Sequence, residues 1–75
     1  MMAIVRTFEE KELDRSSKHS EVEATISLVE ADGEKFVQID TYGSKDRAFP
    51  GKVSQSLRLS KSAFEQLVNT AGKHF

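Results

Sequence analysis

The chain has no cysteine, and this absence excludes a disulfide framework, a thiolate zinc site and a thiol nucleophile. Histidine is scarce as well. His19 and His74 lie far apart and have no metal-ligand spacing, so we predict neither a metal nor a cofactor. No apolar run approaches the roughly 20 residues of a membrane helix, and the first residues do not resemble a signal peptide. We therefore expect a cytoplasmic protein with no membrane partner.

The sequence shows none of the residue arrangements that catalysis requires. A nucleophile must lie beside a base that a third group orients, yet His19 falls in a predicted loop and His74 near the C-terminus. Asp40 is the only acid within a predicted strand of the central segment. Gly43 and Gly51 are isolated, so no glycine-rich phosphate loop precedes a helix. The sequence predicts a protein that is not an enzyme, with a small hydrolase or nuclease as the weaker alternative.

The length of the chain and the placement of its charges point toward partners. A domain of 75 residues without disulfides or metals is near the size at which one core barely suffices, and such domains often oligomerise. Residues 1–34 carry four basic side chains against nine acidic ones, a balance of −5, whereas residues 35–61 carry six against two, a balance of +4. This asymmetry indicates either an anionic partner for the central segment or an acidic segment that folds back on it.

Apolar and polar residues alternate with period two in three segments, and this alternation predicts strands. The segments are residues 22–30, 35–42 and 53–59. Asp32-Gly33 between the first two is a strong hairpin signal, because the tight turn requires positive φ angles. Residues 1–21 are predicted to form an arm or an edge strand. We therefore predict one α+β domain over residues 1–75, in which an antiparallel meander of three to four strands spans 22–59.

A helix is predicted over residues 60–72, packed on one face of the sheet. Ser60 is a natural N-cap directly after the third strand, and Gly72 lies where the helix should stop. The expected contacts of the helix in the sheet are Ile26, Leu28, Val37, Ile39 and Leu57. Its apolar stripe can also pair two copies of the chain, and this predicts a homodimer interface formed by Phe64, Leu67, Val68 and Ala71.

The other face of the sheet combines aromatic, amide and basic side chains. Single-stranded nucleic acid is held by basic grooves along the phosphates and by aromatic rings that stack on bases. We predict that single-stranded DNA or RNA is bound by Lys35, Phe36, Gln38, Tyr42, Lys45, Arg47, Lys52 and Arg58. Each has an alternative role: Phe36 can be covered by the N-terminal arm, and a loop lysine can be merely solvated. The alternative function is a protein-interaction or accessory subunit that docks through the sheet face or edge.

Three short motifs carry a resemblance to a known family. They are Val37-Gln38-Ile39-Asp40, the basic loop that ends in Pro50-Gly51-Lys52, and Leu57-Arg58-Leu59-Ser60 leading into a helix with Phe64. Residues 22–70 resemble the positive-cofactor-four type of single-stranded-DNA-binding transcriptional coactivators and their small bacterial relatives. The resemblance implies a curved antiparallel sheet followed by a helix, a dimer paired through the helices, and a role in transcription or DNA maintenance.

The same resemblance implies roles for particular residues. The basic side chains would contact phosphates, namely Lys45, Arg47, Lys52 and Arg58, and Phe36 or Tyr42 would lie near bases. The chain departs from the family pattern at Thr41-Tyr42, where the family often has a basic residue soon after the strand aspartate. Its acidic first third has no counterpart in the basic, serine-rich leader of the family.

Overall fold

Four strands and one helix make up the computed structural model, which describes residues 2–43 and 52–75. The strands are β1 (Met2–Val5), β2 (Ala24–Ala31), β3 (Glu34–Tyr42) and β4 (Val53–Leu59), and the helix is α1 (Lys61–Ala71). The coarse prediction of an α+β fold, with a sheet followed by a C-terminal helix, is confirmed.

The β2–β3 hairpin forms where Asp32-Gly33 predicts it. Asp32 has φ 53° and Gly33 has φ 77°, the pair of positive angles that a two-residue hairpin turn requires. The two strands pair antiparallel from Ala31 opposite Glu34 to Ala24 opposite Thr41. This register puts Ile26 and Leu28 on the same face as Ile39 and Val37, so the alternation in both strands is satisfied together.

The sheet is mixed, and the prediction of a purely antiparallel meander is wrong in this respect. The strand order is β1-β4-β3-β2, and β1 pairs parallel to β4, with Val5 opposite Leu59. A parallel pair needs a connection of roughly a dozen residues or more, and β1 is separated from β4 along the chain by β2, β3 and the segments that join them. The first strand therefore lies at one edge of the sheet, and β2 forms the other edge.

The sheet has two chemically different faces. The apolar face includes Ile26, Leu28, Val37, Ile39, Leu57 and Leu59. The polar face includes Phe36, Gln38, Asp40, Tyr42, Ser56 and Arg58. The register between β3 and β4 shifts between Thr41 and Tyr42, which leaves Ser54 without an opposite residue. Such a bulge increases the local twist where the strands approach the loop.

The helix begins and ends at the predicted caps. The Ser60 Oγ accepts a hydrogen bond from the Ala63 backbone N–H at 3.2 Å, which satisfies one of the unpaired amides of the first turn. At the other end the Gly72 N–H donates to the Val68 carbonyl at 2.9 Å. Gly72 has φ −61°, but a Cβ there would lie 2.5 Å from the Val68 oxygen, so space rather than φ favours glycine.

The core of a single chain is small and open. Its buried apolar residues, within the part of the chain that the structure describes, are Phe36, Leu59 and Ala63. The helix contacts β3 and β4 and leaves Ile26 and Leu28 of β2 70% and 86% exposed, contrary to the expected packing. The radius of gyration is 14.4 Å, whereas a compact domain of this length has about 11 Å. The helix starts directly after β4 and lies against β3 and β4, so the edge strand β2 lies beyond it.

Candidate nucleic-acid interface

A row of hydrogen bonds joins β3 and β4 across the polar face. The Arg58 Nε donates to the Gln38 Oε1 at 2.8 Å, and the Gln38 Nε2 donates to both Asp40 carboxylate oxygens at 3.1 Å. The Ser56 Oγ donates to the Asp40 Oδ1 at 2.6 Å. The register explains this row, because Gln38 lies opposite Arg58 and Asp40 lies opposite Ser56. The side chains of the row are partly buried, so their orientations are set by the sheet.

Asp40 is the electrostatic centre of this row. The hydrogen bond from Ser56, and then those from Gln38, hold the pKa of the Asp40 carboxyl below its ordinary value, and the nearby Arg58 charge acts in the same direction. Asp40 is therefore ionised at neutral pH and offsets part of the positive charge of Arg58. Any excess of positive charge at this interface must come from residues outside the row.

Tyr42 lies at the end of the sheet that leads into the basic loop. Its hydroxyl lies 3.0 Å from the Thr25 Oγ1, and its backbone N–H donates to the Glu23 carbonyl at 3.0 Å. These two contacts attach Tyr42 to the segment that enters β2. The ring is half-buried on the polar face, next to the bulge at Ser54.

Phe36 is covered rather than available for stacking. The residue is 7% exposed, and the guanidinium carbons of Arg6 and Arg58 lie 5.8 Å and 6.0 Å from the centroid of its ring. Guanidinium groups at these distances are attracted by the π-electrons of the ring. In this arrangement the N-terminal segment covers Phe36, which is the alternative that the sequence left open.

The structure adds Arg6 to the polar face, a residue that the sequence pattern did not single out. Its Nη1 donates to the Glu34 Oε2 at 2.7 Å and its Nη2 to the Glu34 Oε1 at 3.2 Å. These hydrogen bonds lower the pKa of the Glu34 carboxyl and raise that of the Arg6 guanidinium. Arg6 follows a short apolar strand, but its place beside Phe36 depends on the parallel pairing of β1 with β4.

The remaining predicted binding residues do not all gather at this face. Lys35 belongs by alternation to the apolar side of β3, where it lies opposite Glu30. Lys52 is exposed and lies directly before β4. Lys45 and Arg47 lie outside the described residues.

The predicted dimer residues lie on the accessible surface of α1. Phe64, Leu67 and Val68 are exposed, and Ala71 is half-buried. Phe64 lines a cavity together with Leu28, so the first turns of the helix adjoin the uncovered part of the apolar face.

The described residues, 2–43 and 52–75, hold neither a helix that could span a membrane nor a cluster of metal-ligand side chains. None of the helices in these ranges is long and apolar enough to span a membrane. No three or more of the histidine, aspartate and glutamate side chains in these ranges are grouped as metal ligands would be.

Comparison with protein-family models, with curated protein sequences and with solved structures gave no match to this chain.

Proposed function

We propose that this chain binds single-stranded nucleic acid without catalysing a reaction, through its polar face and the basic loop between β3 and β4. The observation that carries the proposal is the polar row itself. Arg58 and Gln38 are oriented at the centre of the sheet, and the same two strands run directly into a loop rich in lysine and arginine. A sheet surface with fixed donors and an adjoining cationic loop suits a flexible anionic strand.

Each group has a distinct part in this proposal. Arg58 contacts a phosphate through its terminal amino groups while its Nε remains bonded to Gln38. The half-buried ring of Tyr42 offers a stacking surface where β3 leads into the loop. The ring of Phe36 instead contacts the guanidinium groups of Arg6 and Arg58. The loop cations Lys45, Arg47 and Lys52 neutralise further phosphates.

Fluorescence anisotropy with a short labelled oligothymidine, repeated with oligouridine, tests this proposal. The variant Arg58→Gln should weaken binding about 10- to 150-fold, because a hydrogen bond to a charged group contributes about 1.5–3 kcal/mol. The dependence of log K on log salt should become less steep by about 0.7 for each lost phosphate contact. Arg15→Gln is the matched control, since Arg15 is exposed in the connection between β1 and β2, outside every strand and helix.

Two outcomes would count against nucleic-acid binding. The first is no binding by the unsubstituted chain at low salt. The second is binding that does not depend on salt, since phosphate neutralisation always releases counterions.

The exposed apolar face supports a second element of the proposal, a homodimer. A small domain that leaves Ile26, Leu28 and Phe64 in water lacks burial that a second copy can supply. A two-fold arrangement would set the same apolar face and helix stripe of each copy against the other.

The uncovered apolar face also favours the alternative function, a protein-interaction subunit. In that case a different protein occupies this face, the isolated chain stays monomeric and Arg58→Gln leaves capture of that partner unchanged. Static light scattering on the purified chain distinguishes the homodimer from the protein-interaction subunit, because only the homodimer has twice the mass of one chain.

A further inference from the structure

Two arginines from distant parts of the sequence share one aromatic support on the polar face. Arg6 follows β1 and Arg58 lies in β4, and both guanidinium groups lie about 6 Å from the ring of Phe36. Arg58 uses only its Nε for a hydrogen bond to the described residues. Arg6 uses both of its terminal amino groups, and both bonds go to Glu34.

Arg6 can exchange Glu34 for another anionic partner at a small cost in free energy. The side chains of Arg6 and Glu34 are 60% and 43% exposed, and ion pairs this open to water contribute little to stability. A phosphate offers the same two-oxygen geometry as a carboxylate, and the arginine fork fits both. The guanidinium group is also planar and rigid, so less conformational entropy is lost for each hydrogen bond that it forms with a new partner.

We propose that Arg6 is a phosphate-binding residue of the nucleic-acid interface, held by Glu34 in the unbound protein and transferred to a backbone phosphate when the strand binds. This inference rests on the proposed function and extends it. Arg6 and Arg58 then hold the nucleic-acid backbone at one end of the polar face, and Tyr42 lies at the other. Glu34 is a competitor for Arg6 and lowers the affinity of the unsubstituted protein.

The experiment measures oligothymidine binding by anisotropy for single variants of the full chain and for one double variant. Arg6→Gln should weaken binding roughly five- to ten-fold and reduce the salt slope by about 0.7. Glu34→Gln should strengthen binding up to about five-fold, because the competing ion pair is gone. The matched controls are Arg15→Gln in the arm and Glu30→Gln on the opposite face of the hairpin, and they should change the affinity by less than about two-fold.

The double variant Arg6→Gln/Glu34→Gln separates a specific exchange from a general charge effect. If Glu34 acts by holding Arg6, removing Glu34 in the Arg6→Gln protein should bring only the small gain seen with Glu30→Gln. If Glu34→Gln strengthens binding as much in the Arg6→Gln protein as in the unsubstituted protein, the proposed exchange is overturned. Arg6→Lys keeps the charge but not the fork, and should bind between Arg6→Gln and the unsubstituted chain.

The failure of this inference differs from the failure of the proposed function. If the unsubstituted chain binds oligothymidine but Arg6→Gln matches Arg15→Gln, the role of Arg6 is overturned and the proposed function stands. If the unsubstituted chain does not bind at all, both are overturned. Circular dichroism spectra of every variant exclude unfolding as the cause of lost binding, and the Glu34→Gln result does not depend on Arg6→Gln being folded.

Discussion

Leu28→Asp is the substitution that tests most directly whether a second copy covers the apolar face. Leu28 lies in the edge strand β2, opposite Val37, and is 86% exposed in the single chain. An aspartate at this position removes an apolar side chain from the face and adds a charge to it. Within one chain the change touches little, because the side chain has few neighbours to lose.

The expected magnitude follows from what a dimer would bury. Complete burial of a leucine side chain contributes about 1.5–3 kcal/mol. In a two-fold dimer the substitution occurs twice, so association loses about 3–6 kcal/mol before any penalty for the buried charges. The dimer dissociation constant should therefore rise about 150- to 25,000-fold. The folding of a single chain should change by at most about 1 kcal/mol, the range of strand propensities.

Sedimentation equilibrium over a wide range of protein concentrations measures the dissociation constant. Leu13→Asp is the matched control, since Leu13 is an exposed leucine in the arm, outside every strand and helix. The reasoning is refuted if the unsubstituted chain is a monomer at all concentrations. It is also refuted if Leu28→Asp dimerises as tightly as Leu13→Asp.

Two further predictions concern the polar row and the hairpin turn. Ser56→Ala should raise the pKa of Asp40 toward its ordinary value, measured by carbon NMR of the carboxyl group, whereas Ser54→Ala should not. Because the folded pKa lies below the unfolded one, Ser56→Ala should be less stable than the unsubstituted chain above the unfolded pKa, and this difference should vanish as the pH falls through the folded pKa. Gly33→Ala forces a side chain to adopt φ 77° and should destabilise by about 1 kcal/mol, lowering the melting midpoint by about 4–8 °C at fixed protein concentration. The control Asp32→Asn should melt near the unsubstituted chain, and an unchanged midpoint for Gly33→Ala would contradict the strain argument.

Local features of the fold could be predicted because neighbouring residues determine them. Asp32-Gly33 forms the predicted turn, since few other residue pairs accept two positive φ angles in a row. Ser60 caps α1 because its hydroxyl reaches an amide only three residues away. The alternation in β2, β3 and β4 placed Gln38 and Arg58 on one face, and their pairing follows from the antiparallel register.

Non-local features of the candidate site could not be predicted in the same way. A four-residue strand such as β1 carries no signal for its partner, so its parallel pairing with β4 was missed. The position of Arg6 beside Glu34 and Phe36 follows from that pairing, and so does the loss of Phe36 as a stacking surface. Whether α1 covers Ile26 and Leu28 depends on where the helix starts relative to the whole sheet.

The sequence by itself determined the hairpin, the helix with its caps, and the division of the strands into one apolar and one polar face. These depend on dihedral preferences and on periodicity, which act over a few residues. Only the tertiary structure decided which strands are neighbours, which aromatic ring is covered and which arginines meet at the polar face. Those outcomes depend on contacts between segments that are distant in the chain, and no local sequence pattern indicates which of these contacts are the more stable.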